Sequence, residues 1–307
     1  MVKKSIVSAP GKIILSGEHS VVYGKPAILS AVNRRLFVEI EKDNNKKEII
    51  SDEGSALAYH ALKKTEEFLG EKIDNLKIKI KSEIPTNRGM GSSAALAVAI
   101  VGALFRRLGI EWDKDLINRI AYEIEKKQHQ NPSGGDNSVS LFGGLIVFQK
   151  GKIEKLDFAD LPNFVLLDSG RAIESTGDMV SAVRAKSQTI FEKMRKVTLR
   201  LIEVLKKEQL GYLKRLISEN ERLLEELGVV GKKAKRIIRK IEDLGGAAKI
   251  CGAGGIKEGS GILLCYHQNP NILLEFAKRN NLDNFRLKLG EEGLRDEEIW
   301  FHQRFVR

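Results

Sequence analysis

Asp136, Glu125 and Lys12 have side chains and local settings that could serve a reaction. Asp136 follows Pro132-Ser133-Gly134-Gly135, a run of turn formers that should deliver it into a loop. A carboxylate so placed can accept or orient the proton of a substrate hydroxyl, although a simple Asx turn fits Asp136 equally well. Glu125 lies one turn past Ala121, on the margin of an apolar helix face, while Lys126 and Lys127 point to solvent. A carboxylate there suits Mg²⁺, which takes one or two carboxylates and fills its shell with phosphate oxygens and water. Lys12, on a strand after Pro10-Gly11, can hold a fixed charge near a nucleophilic hydroxyl or a transferring phosphoryl group. His129 has no partner histidine at ligand spacing and reads as a structural residue.

Two glycine-rich stretches can supply the backbone for phosphate binding. In Pro85-Thr-Asn-Arg88-Gly89-Met90-Gly91-Ser92-Ser93-Ala94, the glycines allow close backbone approach and the serines open a helix. Unpaired N–H groups and the helix dipole at that end attract an anion. No Gly-Lys-Ser/Thr follows, so this is not a Walker loop. Further on, Lys249-Ile-Cys-Gly252-Ala253-Gly254-Gly255-Ile-Lys257-Glu258-Gly259-Ser-Gly261 places five glycines between two strand-like runs. That is either a loop able to close over a ligand or a plain long hairpin. Glu18 and His19, after Gly17, can hydrogen-bond a polar substrate.

The elements that must carry these residues read as mixed strands and helices. Ile6 to Leu15 predicts strands on either side of a Pro10-Gly11 turn. Arg34 to Glu41 and Glu48 to Ser51 flank Asp43-Asn44-Asn45 and predict a hairpin. Ser55 to Leu69 and Ala94 to Leu108 predict helices, and Leu76, Ile78 and Ile80 alternate with lysines as in a half-buried strand. Asp113 is placed to cap a helix with Leu116, Ile117, Ile120, Ala121 and Ile124 on its apolar face. Leu145 to Phe148, Phe164 to Leu167, Ala247 to Cys251 and Ile262 to Tyr266 predict strands. Asp178 to Leu244 is helical apart from breaks at Gly211 and Gly228 to Gly231, and another helix starts near Pro270. Strands early and helices late predict an α+β fold of two domains, 1–155 and 156–307.

Bulk properties narrow the function. The 307 residues carry a net charge of +11, but the basic residues are spread along the chain and mixed with acids. Aromatics are only 6%, with no stacking platform, which argues against nucleic acid as the partner. A cationic surface still favours anionic nucleotides and substrates. No apolar run approaches the roughly 20 residues of a membrane span, and no apolar signal core opens the chain, so a cytoplasmic protein is expected. Cys251 and Cys265 can build neither a disulfide framework nor a multi-cysteine metal site, and Cys265 reads as a buried free thiol.

APGKIILSGEHSVVYGKPA, IPTNRGMGSSAA and KICGAGG resemble, in order and spacing, the three motifs of the GHMP kinases. GEHSVVYGKPA and HQNPSGGDNSVSLFGG are most similar to the mevalonate kinase branch of that superfamily. The resemblance implies a two-domain α+β kinase with its active site between a strand-rich and a helix-rich domain. It implies ATP as co-substrate, Mg²⁺, mevalonate as substrate, and room for a homodimer. By the same resemblance Asp136 is the catalytic aspartate and Lys12 its cation. Pro85, Arg88, Gly89, Met90, Gly91, Ser92, Ser93 and Ala94 bind ATP, and Glu125 with Ser92 or Ser93 holds the metal. Glu18, His19, Thr176, Gly252, Ala253 and Gly254 line the substrate site. Members read GAGGGG and then a small residue where this chain has GAGGIKEGSG, a longer loop carrying Lys257 and Glu258. That pair is either solvated or a means for Lys257 to reach a phosphate or carboxylate. Glu174 stands near a basic substrate contact of some relatives, with Arg171 as the available replacement.

Overall fold

The computed structural model describes residues 4–43, 47–51, 55–86, 88–127, 132–158, 161–183 and 188–297. Its first sheet is built on a long antiparallel pair, β1 (Lys4–Ser16) and β2 (Ala27–Lys42). The expected turn at Pro10-Gly11 does not form; β1 runs through it as one strand with a register shift between Pro10 and Lys12. Proline lacks the N–H a ladder needs, so the irregularity falls there. It also frees the Lys12 N–H to donate to Met90 O at 2.8 Å, tying the strand to the glycine turn before the next helix.

The expected hairpin around Asp43 is also replaced. β3 (Glu48–Ser51) pairs in parallel with β4 (Leu76–Ser82), and β4 lies between β3 and β2. Helix α1 (Ala56–Leu69) makes the crossover. The reason lies in burial: Ile78 and Ile80 register against Ile40 and Val38, all four buried, whereas β3 is half exposed and suits an edge. β5 (Leu145–Gln149) joins the start of β2 and carries β6 (Lys152–Leu156), while β11 (Arg295–Asp296) returns late in the chain to pair with β1.

Helix α2 (Ser92–Leu108) is buried nearly all round, packed on β1 and β2 and against α1, α3 (Lys114–Glu125) and α4 (Gly135–Phe142). Its alanines at 94, 95, 97, 99 and 103 let these neighbours approach closely. Asp113 caps α3 as expected, accepting from Leu116 N at 3.0 Å.

The second sheet is antiparallel in the order β10 (Asn284–Leu287), β7 (Phe164–Asp168), β9 (Ile262–Tyr266), β8 (Ala247–Ile250). Against it pack α7 (Leu213–Leu227), α8 (Lys232–Asp243) and α9 (Pro270–Arg279). Helix α6 (Gln188–Lys206) packs on α7 and reaches β1 and β2, and α5 (Thr176–Val183) borders the cleft described below. The result is the expected α+β architecture, strand-rich early and helix-rich late, with one apolar cluster running through both sheets. Cys251 and Cys265 are buried free thiols. Among the described residues, no helix is long and apolar enough to cross a membrane.

Candidate active site

A cleft of about 630 Å³ opens where β1, the α2 N-terminus, α4, α5 and the β8–β9 loop converge. Lys12 projects from β1 with its side chain almost wholly buried, and its Nζ lies 3.0 Å from Asp136 Oδ2. Asp136 sits in the first turn of α4, not in a loop as expected: the glycines at 134 and 135 start a helix at once. Its carboxylate therefore has the positive end of a helix beneath it and a fixed lysine beside it.

The second carboxylate meets the same point. Glu125 ends the buried face of α3 at 2% exposure, and Ser93 Oγ donates to its Oε2 at 3.2 Å. Burial and, next, the charge of Asp136 push Glu125 up to about 7, while Ser93 and Lys12 pull the other way. α2 begins here, with Gly91 at φ 72° as its cap and Ser92 and Ser93 facing the cleft. A side chain at Gly91 would strike Lys12 Cγ at 2.7 Å, so glycine is what lets this turn rest on the lysine. Pro85, Arg88, Gly89 and Met90 border the cleft beside this turn; Ala94 is buried within α2. The Arg88 side chain, however, reaches Asp168.

His19, Val21, Val22, Gly177, Val180 and Ser181 also line the cleft. His19 holds a left-handed backbone at φ 59° and its Nε2 lies 3.0 Å from Ala253 O. A carbonyl only accepts, so Nε2 carries the proton; burial lowers the imidazole to about 4 and keeps it neutral. Nδ1 is then a buried acceptor without a protein partner among the described residues.

Gly252 and Ala253 line the cleft, while Gly254 lies against Val229 on the far side of the loop. Glu18 borders the cleft, but its carboxylate is committed elsewhere, as set out below. Thr176 opens α5, and its side chain lies outside the described residues, as does His129. Glu174 contacts the glycine loop, its Oε2 accepting from Ile256 N at 3.3 Å, and Arg171 is exposed.

The N-terminal domain profile of the GHMP kinases matches residues 56–144. Over the whole chain the similarity is to mevalonate kinases. That of Pyrococcus furiosus is 34% identical across 96% of this chain and 99% of its own length. The chain belongs to the mevalonate kinase family. The mevalonate kinase of Archaeoglobus fulgidus is likewise 34% identical, over 81% of this chain and 89% of its own. Among solved structures, the Methanococcus jannaschii mevalonate kinase superposes with a TM-score of 0.83 at 25% identity, covering 93% of this chain and 98% of that one. An L. major mevalonate kinase in complex with R-mevalonate shares the fold at a TM-score of 0.83 and 22% identity, over 95% and 97% of the two chains.

For a kinase of this family the structure adds residues that the motifs alone did not single out. Lys249 pairs with Glu18, both side chains fully buried, and also donates to Ile14 O at 3.0 Å and Ile250 O at 2.7 Å. Asn220 donates to Glu18 Oε2 at 3.3 Å and accepts from Ser16 Oγ at 2.9 Å. Glu221 accepts from Ile250 N at 3.0 Å, and burial pushes it up to about 8. The signal was present in kind: Asn220 and Glu221 stand at core spacing with Leu216, Ile217 and Leu224, and Lys249 interrupts an apolar strand. Polar groups at such positions must find one another.

Proposed function

We propose that this chain transfers the γ-phosphoryl group of ATP to the C5 hydroxyl of mevalonate, giving 5-phosphomevalonate and ADP. The observation that carries the reading is the Lys12–Asp136 pair at 3.0 Å, set between the α2 N-terminus and Glu125. Asp136 orients the hydroxyl and takes its proton as the phosphoryl group arrives, and Lys12 pairs with that carboxylate and offsets charge on the transferring group. The first turn of α2 and the backbone of the glycine turn at 89–91 bind the nucleotide phosphates, and Ser55, Ala56 and Leu57 line the same cleft. His19, donating from Nε2 to Ala253 O, fixes the glycine loop at the cleft wall beside the Gly89 turn.

Glu125, Ser93 or Ser92, and Asp136 offer oxygen donors of the hard kind that Mg²⁺ selects, and too few of them to hold it without phosphate oxygens. Mg²⁺ bound with ATP would neutralise the phosphate charge as it develops. Burial holds Glu125 short of full ionisation, and a cation beside it restores the charged form. The active site in this reading lies between domains 1–155 and 156–307.

The test is ADP release from ATP with mevalonate, phosphomevalonate, galactose and homoserine in turn. Turnover should be confined to mevalonate; preferred turnover of any other alcohol overturns the assignment.

A further inference from the structure

Arg88 stands in the middle of the phosphate-binding stretch, where a free guanidinium would be read as a phosphate ligand. Its Nε instead lies 2.6 Å from Asp168 Oδ2, at the end of β7 in the second sheet. Asp168 is itself held, since its Oδ1 accepts from Gly170 N at 2.7 Å. Gly170 O accepts from Gly261 N at 2.9 Å, and Ser169 Oγ donates to Gly261 O at 2.7 Å, so the carboxylate is rooted in a stitched turn. The backbone on both sides of the guanidinium follows the same partner. Arg88 O accepts from Ile262 N at 3.2 Å, and a Cβ on Gly89 would come within 2.6 Å of Cys251 O. From the other side Met90 O is held by Lys12 N.

We propose that the Arg88–Asp168 ion pair is a latch that fixes the phosphate loop between the two sheets, making Arg88 a positioning residue and not a phosphate ligand. This rests on the phosphoryl-transfer reading above, since what the latch positions is the phosphate site. The α2 N-terminus begins at Gly91, just past Arg88, so any drift of residues 88–90 moves the donors of the first turn relative to the nucleotide. A displacement of about 1 Å in such a site is enough to cost a large part of the binding and rate advantage. The pair joins side chains 25% and 11% exposed, a charge-assisted contact shielded from most of the solvent.

The test is ADP binding by titration calorimetry, without any alcohol substrate, to the wild type, Arg88→Gln, Asp168→Asn and the double variant. Each single change should weaken ADP about tenfold, the scale of one lost charge-assisted hydrogen bond. The double variant should be no more than about twofold worse than the weaker single, because both remove one contact. Loss of affinity in Arg88→Gln with Asp168→Asn within twofold of wild type overturns the latch and makes Arg88 a phosphate ligand. Two unaffected single variants overturn it as well. Should a neutral variant fail to fold, Arg88→Lys and Asp168→Glu keep both charges and change their reach. Weakening by both supports the latch, and weakening by the lysine alone overturns it. A wild type that binds no ADP defeats the phosphate-site reading itself, whereas a wrong alcohol shows only in the substrate panel.

Discussion

Strand β1 delivers charge into two opposite settings. Midway along it, Lys12 meets Asp136 at the edge of an open cleft, and Asp136 keeps 37% of its side chain exposed. Just past its end, Glu18 meets Lys249 with neither side chain exposed at all. In the first pair the carboxylate has room for a substrate hydroxyl; in the second every strong donor and acceptor is taken by Ile14, Ile250 and Asn220. An ion pair open on one side can do chemistry, and one closed on all sides can only hold shape. What the closed pair holds is the turn that presents His19 to Ala253, so the two settings serve one site from its face and from behind.

The comparison breaks most visibly at Asp136. Asp136→Asn should lower kcat by about 10²- to 10⁴-fold, the range for a general acid–base group, with ADP binding and unfolding midpoint near those of the wild type. Turnover close to wild type would remove Asp136 from the reaction and leave the open pair as structural as the closed one.

Lys249→Met tests the closed pair. Stranding Glu18 without its cation should cost about 3–5 kcal/mol of stability in urea unfolding. Adding Glu18→Gln should return part of that loss, because the uncompensated charge is then gone. A cost below about 1 kcal/mol is what an exposed pair would show, and would contradict the burial.

Glu221 sharpens the same region through pH. Lys249, Glu18 and Glu225 face it, and burial raises it from 4.5 to about 8. The native state thus holds a proton that the unfolded chain releases above about 4.5. Its stabilising contribution is complete below that pH and is lost as pH rises through about 8. Unfolding free energy should fall between pH 5 and 8 with a slope of at most about 1.4 kcal/mol per unit, and Glu221→Gln should lack that part of the slope. Parallel pH curves for the two proteins would mean that Glu221 is ionised in the fold.

On the open side, Glu125→Gln should raise the Mg²⁺ concentration for half-maximal rate by about tenfold, since an amide is a poorer ligand for a hard cation. An unchanged Mg²⁺ requirement would reduce Glu125 to a helix-end carboxylate bonded to Ser93.

How much of this was legible before the structure depends on the range of the interaction. Local patterns carried well: the alternation at Leu76, Ile78 and Ile80, the Asp113 cap, and the helix opening at Ser92 all appear as read. The meeting of Lys12, Glu125 and Asp136 at one cleft was legible too, because all three fall in or beside the motifs that carry the family resemblance. The failures are long-range. Nothing near Asp43 says that Leu76–Ser82 will take the place beside β2, because that choice is made by burial of Ile78 and Ile80 against distant residues. Pro10-Gly11 reads as a turn only if strand irregularity is left out, and Asp136 reads as a loop residue only if the helix is made to wait for a conventional cap. Asp168 gave no local sign at all, being simply the polar end of an apolar strand.

The smallest effect is expected at Lys257, in the segment where the chain is longer than the family pattern. The insertion is built into the second sheet's surroundings. Glu258 O accepts from Lys233 N at 3.3 Å at the start of α8, and Ser260 Oγ accepts from Gly231 N at 2.8 Å. Gly255 N donates to Val229 O at 2.9 Å, and Glu174 receives the Ile256 N–H. The Glu258 carbonyl and the Ser260 hydroxyl thus satisfy donors at the start of α8, and Val229 and Glu174 satisfy two N–H groups of the loop. The side chains of Ile256, Lys257 and Glu258 point outward and are exposed, and none borders the cleft. For Lys257 to touch a phosphate the loop would have to give up those bonds, each worth about 1 kcal/mol, in exchange for one partly screened charge contact. Lys257→Ala should therefore leave kcat and both KM values within about twofold at low and high salt alike. A rise in either KM beyond about fivefold that fades in high salt would show that the loop does leave α8 and close on the ligand.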